Sequence, residues 1–164
     1  MIVVEAGQGE PIGVGRSTGL IGRAEWTAGG VCVLDQIVQP RHVSPVHSHA
    51  VESQAAYIVS GTLGFWVDGQ EGQANTGGYV FRPVGKPHAL WNPTDEPVHM
   101  LEITSPAERF QEYMLELSAL MDAGAADPGT VKRLAGSYGV TFFDEITDEL
   151  CRRYGLDPHG SFWK

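Results

Sequence analysis

Between residues 21 and 104 the chain is a succession of short runs rich in β-branched and aromatic residues, each ended by turn chemistry. The runs lie at 21–26, 31–38, 55–60, 63–67, 79–82, 89–91 and 98–104. Branching or a ring at Cβ restricts rotamers in a helix and packs well on a pleated surface, so these runs read as strands. Gly29-Gly30, Asp68-Gly69, Gly77-Gly78 and Asn92-Pro93 separate them. Asp68-Gly69 suits a tight hairpin, whose central residues need positive φ. Many short strands at close spacing predict an antiparallel sandwich or barrel. The 21 glycines and 10 prolines among 164 residues fit that class.

The texture changes at Ser105. Ser105-Pro106-Ala107-Glu108 reads as a helix start, with serine as cap, proline in the first turn and glutamate closing a capping box. Phe110, Tyr113, Met114, Leu117 and Met121 follow at helical spacing, and Gly124 is a stop. Asp127-Pro128 opens a second helix carrying Val131, Leu134 and Tyr138 and ended by Gly139. A third follows Asp144, with Ile146, Leu150 and Tyr154 on one face. Amphipathic helices must pack on something, and an outer face of the β unit or a dimer partner is expected. At the other end, Ile2-Val3-Val4 reads as an edge strand and the glycine-rich remainder to residue 20 as loop. The division is 1–20 as an arm, 21–104 as the β unit and 105–164 as a helical extension, one domain in all. The tail from 157 to 164 reads as loosely held, although Phe162 and Trp163 favour burial.

A net charge of −9 argues against nucleic acid and against anionic membrane surfaces as partners. There is no basic start followed by a long apolar run, and no apolar stretch of membrane-spanning length. Cys32 and Cys151 form no CxxC pair. A reducing cytoplasm is the expected location. Cys32 reads as a core thiol and Cys151 as a helix-packing residue.

Chemistry concentrates between His47 and Asn92. Residues two apart on a strand share a face, so an extended His47-Ser48-His49 puts both imidazoles into one space. Pro45 favours that extended approach. Gln54 can join them from the strand that ends at Gly61, and His88 follows the turn Gly85-Lys86-Pro87 at a strand entrance. Neutral imidazole is the commonest ligand for transition metals. Three histidines with one oxygen donor leave positions for water or substrate, and such open sites are more often catalytic than structural.

These residues resemble the two motifs of the cupins, a jelly-roll barrel class. His47, His49, Gln54 and Gly61 stand where the first motif has HxH, an acid and a glycine. Gly77, Pro83, Gly85, His88 and Asn92 fill every fixed position of the second. The helical ending, with Ala135-Gly136-Ser137-Tyr138-Gly139-Val140, resembles small bacterial quercetinase-like cupins more loosely. The resemblance implies an all-β jelly-roll barrel followed by C-terminal helices, with one divalent transition metal per chain (Fe, Ni, Co, Mn, Cu or Zn). His47, His49, His88 and the residue at the Gln54 position would bind it. The family usually has glutamate there. Glutamine keeps an oxygen but loses the charge and cannot serve as a base near neutral pH. Three readings stay open: Gln54 ligates through its carbonyl, Gln54 orients a water or substrate oxygen, or Glu52, on the same strand parity, takes its place.

By the same alternation Ala56 and Ile58 follow Gln54 inward and Leu90 follows His88 inward, as pocket lining or plain core. Trp91 and Tyr57 face out. Arg82 replaces a commonly apolar residue, and either anchors an acidic substrate or is a salt-bridged or exposed arginine. Glu102 either pairs with Arg82 or a ligand histidine or faces solvent. His42, His99 and His159 lack ligand spacing and read as surface groups. The expected function is a metal-dependent enzyme on a small phenolic or enolic molecule, first a quercetinase-like dioxygenase using dioxygen. The alternatives are a non-redox isomerase, cyclase or dehydratase, or a ligand-binding module without turnover. A homodimer is expected, with strand exchange through residues 2–4.

Overall fold

A computed structural model describes residues 1–13 and 18–157. His159, Phe162 and Trp163 therefore lie outside the described residues. The strands are β1 (Glu10–Ile12), β2 (Thr18–Gly22), β3 (Cys32–Val38), β4 (His47–His49), β5 (Ser53–Ser60), β6 (Thr62–Val67), β7 (Gln70–Asn75), β8 (Tyr79–Arg82), β9 (His88–Trp91), β10 (Val98–Ser105) and β11 (Val140–Phe142). The helices are α1 (Glu108–Asp122), α2 (Pro128–Ser137) and α3 (Asp144–Tyr154). One sheet has the order β1-β2-β3-β10-β5-β8 and the other β11-β4-β9-β6-β7, with every described pairing antiparallel.

The two sheets face each other. Ala56, Ile58, Val80, Val98 and Met100 from the first meet Leu63 and Leu90 from the second in a shared apolar core. This is the jelly-roll class expected, but as a sandwich: among the described residues no strand pairing joins one sheet to the other. Along one side the gap is closed by side chains. Phe110, Tyr113, Met114 and Leu117 of α1 cluster with Ile12, Leu20, Cys32 and Leu34 of the first sheet and Val140 of the second. So α1 does not lie on an outer face as expected. α3 does: Leu150 buries against Val43, Val46, Ala89 and Trp91, and Tyr154 stacks on the Trp91 indole at 4.9 Å.

Several boundaries differ from the sequence reading for identifiable reasons. Ser105 does not cap α1, because its backbone forms the last rung of β10 opposite Ser53, and the helix starts behind Ala107. The run at 21–26 is not one strand: β2 ends at Gly22 and Ala24–Thr27 is a 3-10 turn. Residues 2–4 form no strand in the single chain, and Ile2 and Val3 are exposed. Asp127 caps α2 as expected, accepting from the Gly129 and Thr130 amides.

Two glycines show why the turns hold. Asp68 and Gly69 both have positive φ, 49° and 87°, and join β6 to β7 as the expected hairpin. Gly64 lies directly opposite Trp91, and a Cβ there would meet the indole at 2.2 Å. Gly64→Ala should therefore lower stability by ~1–3 kcal/mol through overpacking, read as an earlier urea midpoint. An unchanged midpoint would show that Trp91 has room to move.

Candidate metal centre

Sheet two supplies the imidazoles. His47 and His49 alternate onto the inner face of β4, and His88 enters directly opposite His47 on β9. One ring nitrogen from each of the three lies within 4.8 Å of the others. The ring centroids of His47 and His88 are 4.5 Å apart. His49 and His88 are buried, and His47 retains partial exposure at the approach to the site. Phe110 of α1 lies edge-on to His49 at 5.8 Å and Phe142 of β11 lies 6.1 Å from His47, so both walls are aromatic. Sequence periodicity marked Phe110 only as a helix core position, and it did not mark Phe142 at all.

Each Nδ1 faces an acceptor. The His47 Nδ1 lies 2.7 Å from the Pro45 carbonyl, and the His88 Nδ1 lies 2.9 Å from that of Lys86. A carbonyl only accepts, so both rings carry their proton on Nδ1. The His49 Nδ1 lies 3.5 Å from the Glu52 carboxylate, without a hydrogen bond between them. That leaves Nε2 of His47 and His88 as bare lone pairs, and both ring nitrogens of His49 without a partner. Burial, with the neighbouring imidazole His49 and the Arg82 charge, pushes His47 down to about 3. Burial, reinforced by His47 and Arg82, drives His88 lower still. The His47 and His88 rings are neutral near pH 7 and available as ligands.

Sheet one supplies the oxygen. Gln54 sits on the inner face of β5 in a row running Thr104–Gln54–Arg82 across β10, β5 and β8. Its Oε1 lies 3.1 Å from the His88 Nε2 and accepts from the Arg82 Nη1 at 3.4 Å, while its Nε2 donates to the Thr104 hydroxyl at 3.3 Å. The Gln54 oxygen and the His88 Nε2 are then two acceptors at hydrogen-bond distance with no proton between them. The His49 Nε2, 2% exposed, likewise meets no partner. A cation satisfies all of these lone pairs at once, so the residues present fit a divalent transition ion held by His47, His49, His88 and the Gln54 oxygen.

The remaining sequence candidates lie around or away from this cluster. Glu52 stands behind His49; burial alone would raise its carboxyl, but the His49 contact, its own backbone amide and Arg109 outweigh this and leave it lowered. Arg82 and Glu102, 3% and 5% exposed, form an ion pair inside the sandwich, and burial pushes the Glu102 carboxyl up. Ala56, Ile58 and Leu90 are apolar core below the polar row. Asn92 is fully buried and shapes its turn, donating to the Val38 and Glu96 carbonyls and accepting from the Thr94 amide. Cys32 is a core thiol pushed up to about 12 by burial. His42 is not a surface group: it is buried, and that burial holds it down to about 4. His99 pairs with Asp35 on the outer sheet face.

The comparisons with known proteins agree with this geometry. Residues 34–104 match the model of the Cupin domain, Cupin_2. That stretch is similar to the cupin domain. No curated protein matches the chain. Among solved structures, a predicted oxalate decarboxylase from Thermotoga maritima is 17% identical with a TM-score of 0.56, over 63% of this chain and 98% of that one. The plu4264 protein from Photorhabdus luminescens is 17% identical with a TM-score of 0.54, over 64% and 88%. KdgF from Halomonas sp. is 14% identical with a TM-score of 0.52, over 57% and 81%. At these identities the likeness is one of fold. Among the described residues no helix is long and apolar enough to cross a membrane.

Two outcomes follow from the centre. His47→Ala or His88→Ala should reduce bound metal from about one equivalent to near zero by elemental analysis of the purified protein, because each removes one of three imidazole ligands. Retention of full metal in either variant would contradict the assignment. The metal-free protein should also lose stability as pH falls from 7 toward 5. His42, His47 and His88 are held below their unfolded values, so over that range the unfolded chain binds the extra protons, each contributing up to ~1.4 kcal/mol per pH unit. Glu102 is shifted up by burial and acts in the opposite direction, one group against three histidines. Urea midpoints that stay flat from pH 7 to 5 would count against three buried neutral imidazoles.

Proposed function

We propose that this cupin-like chain is a mononuclear metal-dependent enzyme acting on a small organic molecule with an acidic phenolic or enolic hydroxyl, and that the reaction is a dioxygenation of the quercetinase-like type. The observation that supports it is the donor set itself: three converging imidazole nitrogens and one neutral amide oxygen beside them, with His47 partly exposed. Four protein donors of this kind leave coordination positions for substrate. A redox-capable ion held there supplies the one-electron chemistry that links an electron-rich substrate to dioxygen, and a redox-inert ion supplies Lewis acidity.

The chain's own residues set the terms. His47, His49 and His88 would hold the ion through neutral imidazole nitrogens, with His47 and His88 each fixed by the carbonyl at Nδ1. Gln54 presents an oxygen but takes no proton, so the substrate arrives as its oxyanion. None of the four donors brings negative charge, which favours an anionic ligand on a dication. Phe110 and Phe142 flank the imidazoles with apolar rings suited to a planar substrate and to exclusion of water.

The same Gln54 favours a second reading. With no carboxylate among the donors, a substrate already ionised can rearrange under Lewis-acid polarisation alone, as in isomerisation, cyclisation or dehydration. An oxygen electrode separates the two. Protein loaded with iron, nickel or cobalt should consume dioxygen with a phenolic or enolic substrate, and zinc-loaded protein should not. Equal turnover without dioxygen, or with zinc, would replace the oxygenase reading by the non-redox one. Stoichiometric binding without product in every metal form would leave a ligand-binding module.

A further inference from the structure

We propose that Arg82 is the positioning residue that fixes Gln54 as an oxygen donor to the imidazole cluster, and that Glu102 is present to neutralise that arginine. This rests on the metal-binding reading of the centre and concerns how a glutamine can serve where a carboxylate would be simpler.

An amide has two ends of nearly equal size and opposite chemistry: the oxygen accepts and the NH₂ donates. Only the oxygen can complete a set of lone pairs around a cation. A carboxylate presents an oxygen whichever way it turns, whereas a glutamine needs a neighbour that distinguishes its ends. The Thr104 hydroxyl, 3.3 Å from the Gln54 Nε2, cannot decide the matter, because a hydroxyl donates or accepts with equal ease. The His88 Nε2 is itself a bare acceptor and on its own would attract the NH₂ end. Arg82 decides it. A guanidinium only donates, so the end of Gln54 that faces its Nη1 at 3.4 Å is the oxygen.

The backbone register makes this arrangement rigid. Arg82 on β8 lies directly opposite Gln54 on β5, so their side chains leave the sheet side by side on the inner face. Arg82 then reaches past β5 to Glu102 on β10 with its other terminal nitrogen. Its Nε meets no acceptor. The side chain is thus held by the two terminal nitrogens, one on Gln54 and one on Glu102. A buried guanidinium without a counter-charge is strongly disfavoured, and Glu102 supplies that charge. The ion pair is net neutral, and the amide it orients is neutral too. The oxygen donor is therefore delivered with no charge added to the centre.

The test uses zinc alone as probe, with affinity measured by competition against a chromophoric chelator. Arg82→Gln combined with Glu102→Gln removes both charges together and leaves no unpaired ion. This double variant should bind zinc more weakly by roughly 10–100-fold, the range for loss of a residue that orients a metal ligand. Adding Gln54→Glu to the same background should restore affinity toward the wild-type value, because a carboxylate needs no orienting. In a Gln54→Ala background the double substitution should cause no further loss. Wild-type affinity in the double variant overturns the proposal. So does a loss that Gln54→Glu fails to rescue, or one that persists on top of Gln54→Ala, since the pair would then act on the fold. Should the double variant not fold, the wild-type protein still decides. One equivalent of zinc should shift the Gln54 side-chain carbonyl carbon in its NMR spectrum and leave the NH₂ protons in place. An unmoved carbonyl with zinc bound overturns the proposal while leaving the three-histidine centre standing. Wild-type protein that takes up no zinc at all overturns both.

Discussion

The structure depends on a convergence of acceptors with no donor among them. Two backbone carbonyls hold the outer nitrogens of His47 and His88, which turns their inner nitrogens into lone pairs, and the buried His49 ring converges on the same point. A donor-only guanidinium turns a glutamine oxygen to the same point. Buried acceptors facing one another at 3.1 Å are unfavourable in a low-dielectric interior, and a cation reverses the sign of every one of those contacts. Much of the polar interior serves this arrangement: Arg82, Glu102, Gln54, Thr104, Glu52, His49 and His88 are all buried and lie at or next to it.

The two sheets divide the labour. The second delivers imidazoles on β4 and β9, whose direct pairing sets His47 opposite His88. The first delivers one oxygen and a self-neutralised ion pair from three adjacent strands. Below them the apolar core fixes the separation of the sheets. To one side α1 fills the gap that a closed barrel would stitch with hydrogen bonds, and its Phe110 reaches His49 while doing so. The helical extension therefore shapes the centre as well as covering the β unit.

Much of this was legible in the residues. The period of two placed His47 with His49, and Gln54 with Ala56 and Ile58, because alternation on a strand is a geometric necessity. The Arg82–Glu102 pair was one of the alternatives raised by two charges on apolar strands. What stayed hidden lay in weak local signals. β7, with the sequence Gln-Glu-Gly-Gln-Ala-Asn, is a polar edge strand and lacks β-branched residues. β11 is three residues long and owes its existence to β4 beside it. Ser105 has the composition of a helix cap, but pairing with Ser53 outcompeted the cap. The burial of His42 and the contact between Glu52 and His49 depend on loop paths that no periodicity encodes.

The central claim is that the three imidazoles converge on a common cation, with His47 and His88 neutral, protonated on Nδ1 and presenting Nε2 to it. Nitrogen-15 NMR of the histidine rings tests this most directly, since it reports tautomer and ligation for each ring separately. The account predicts that in metal-free protein at pH 7 the His47 and His88 rings show a protonated Nδ1 and a bare Nε2. Signals from all three rings should then shift together and saturate at one equivalent of zinc. His47 or His88 protonated on Nε2, or zinc titration that moves fewer than three rings, would contradict it.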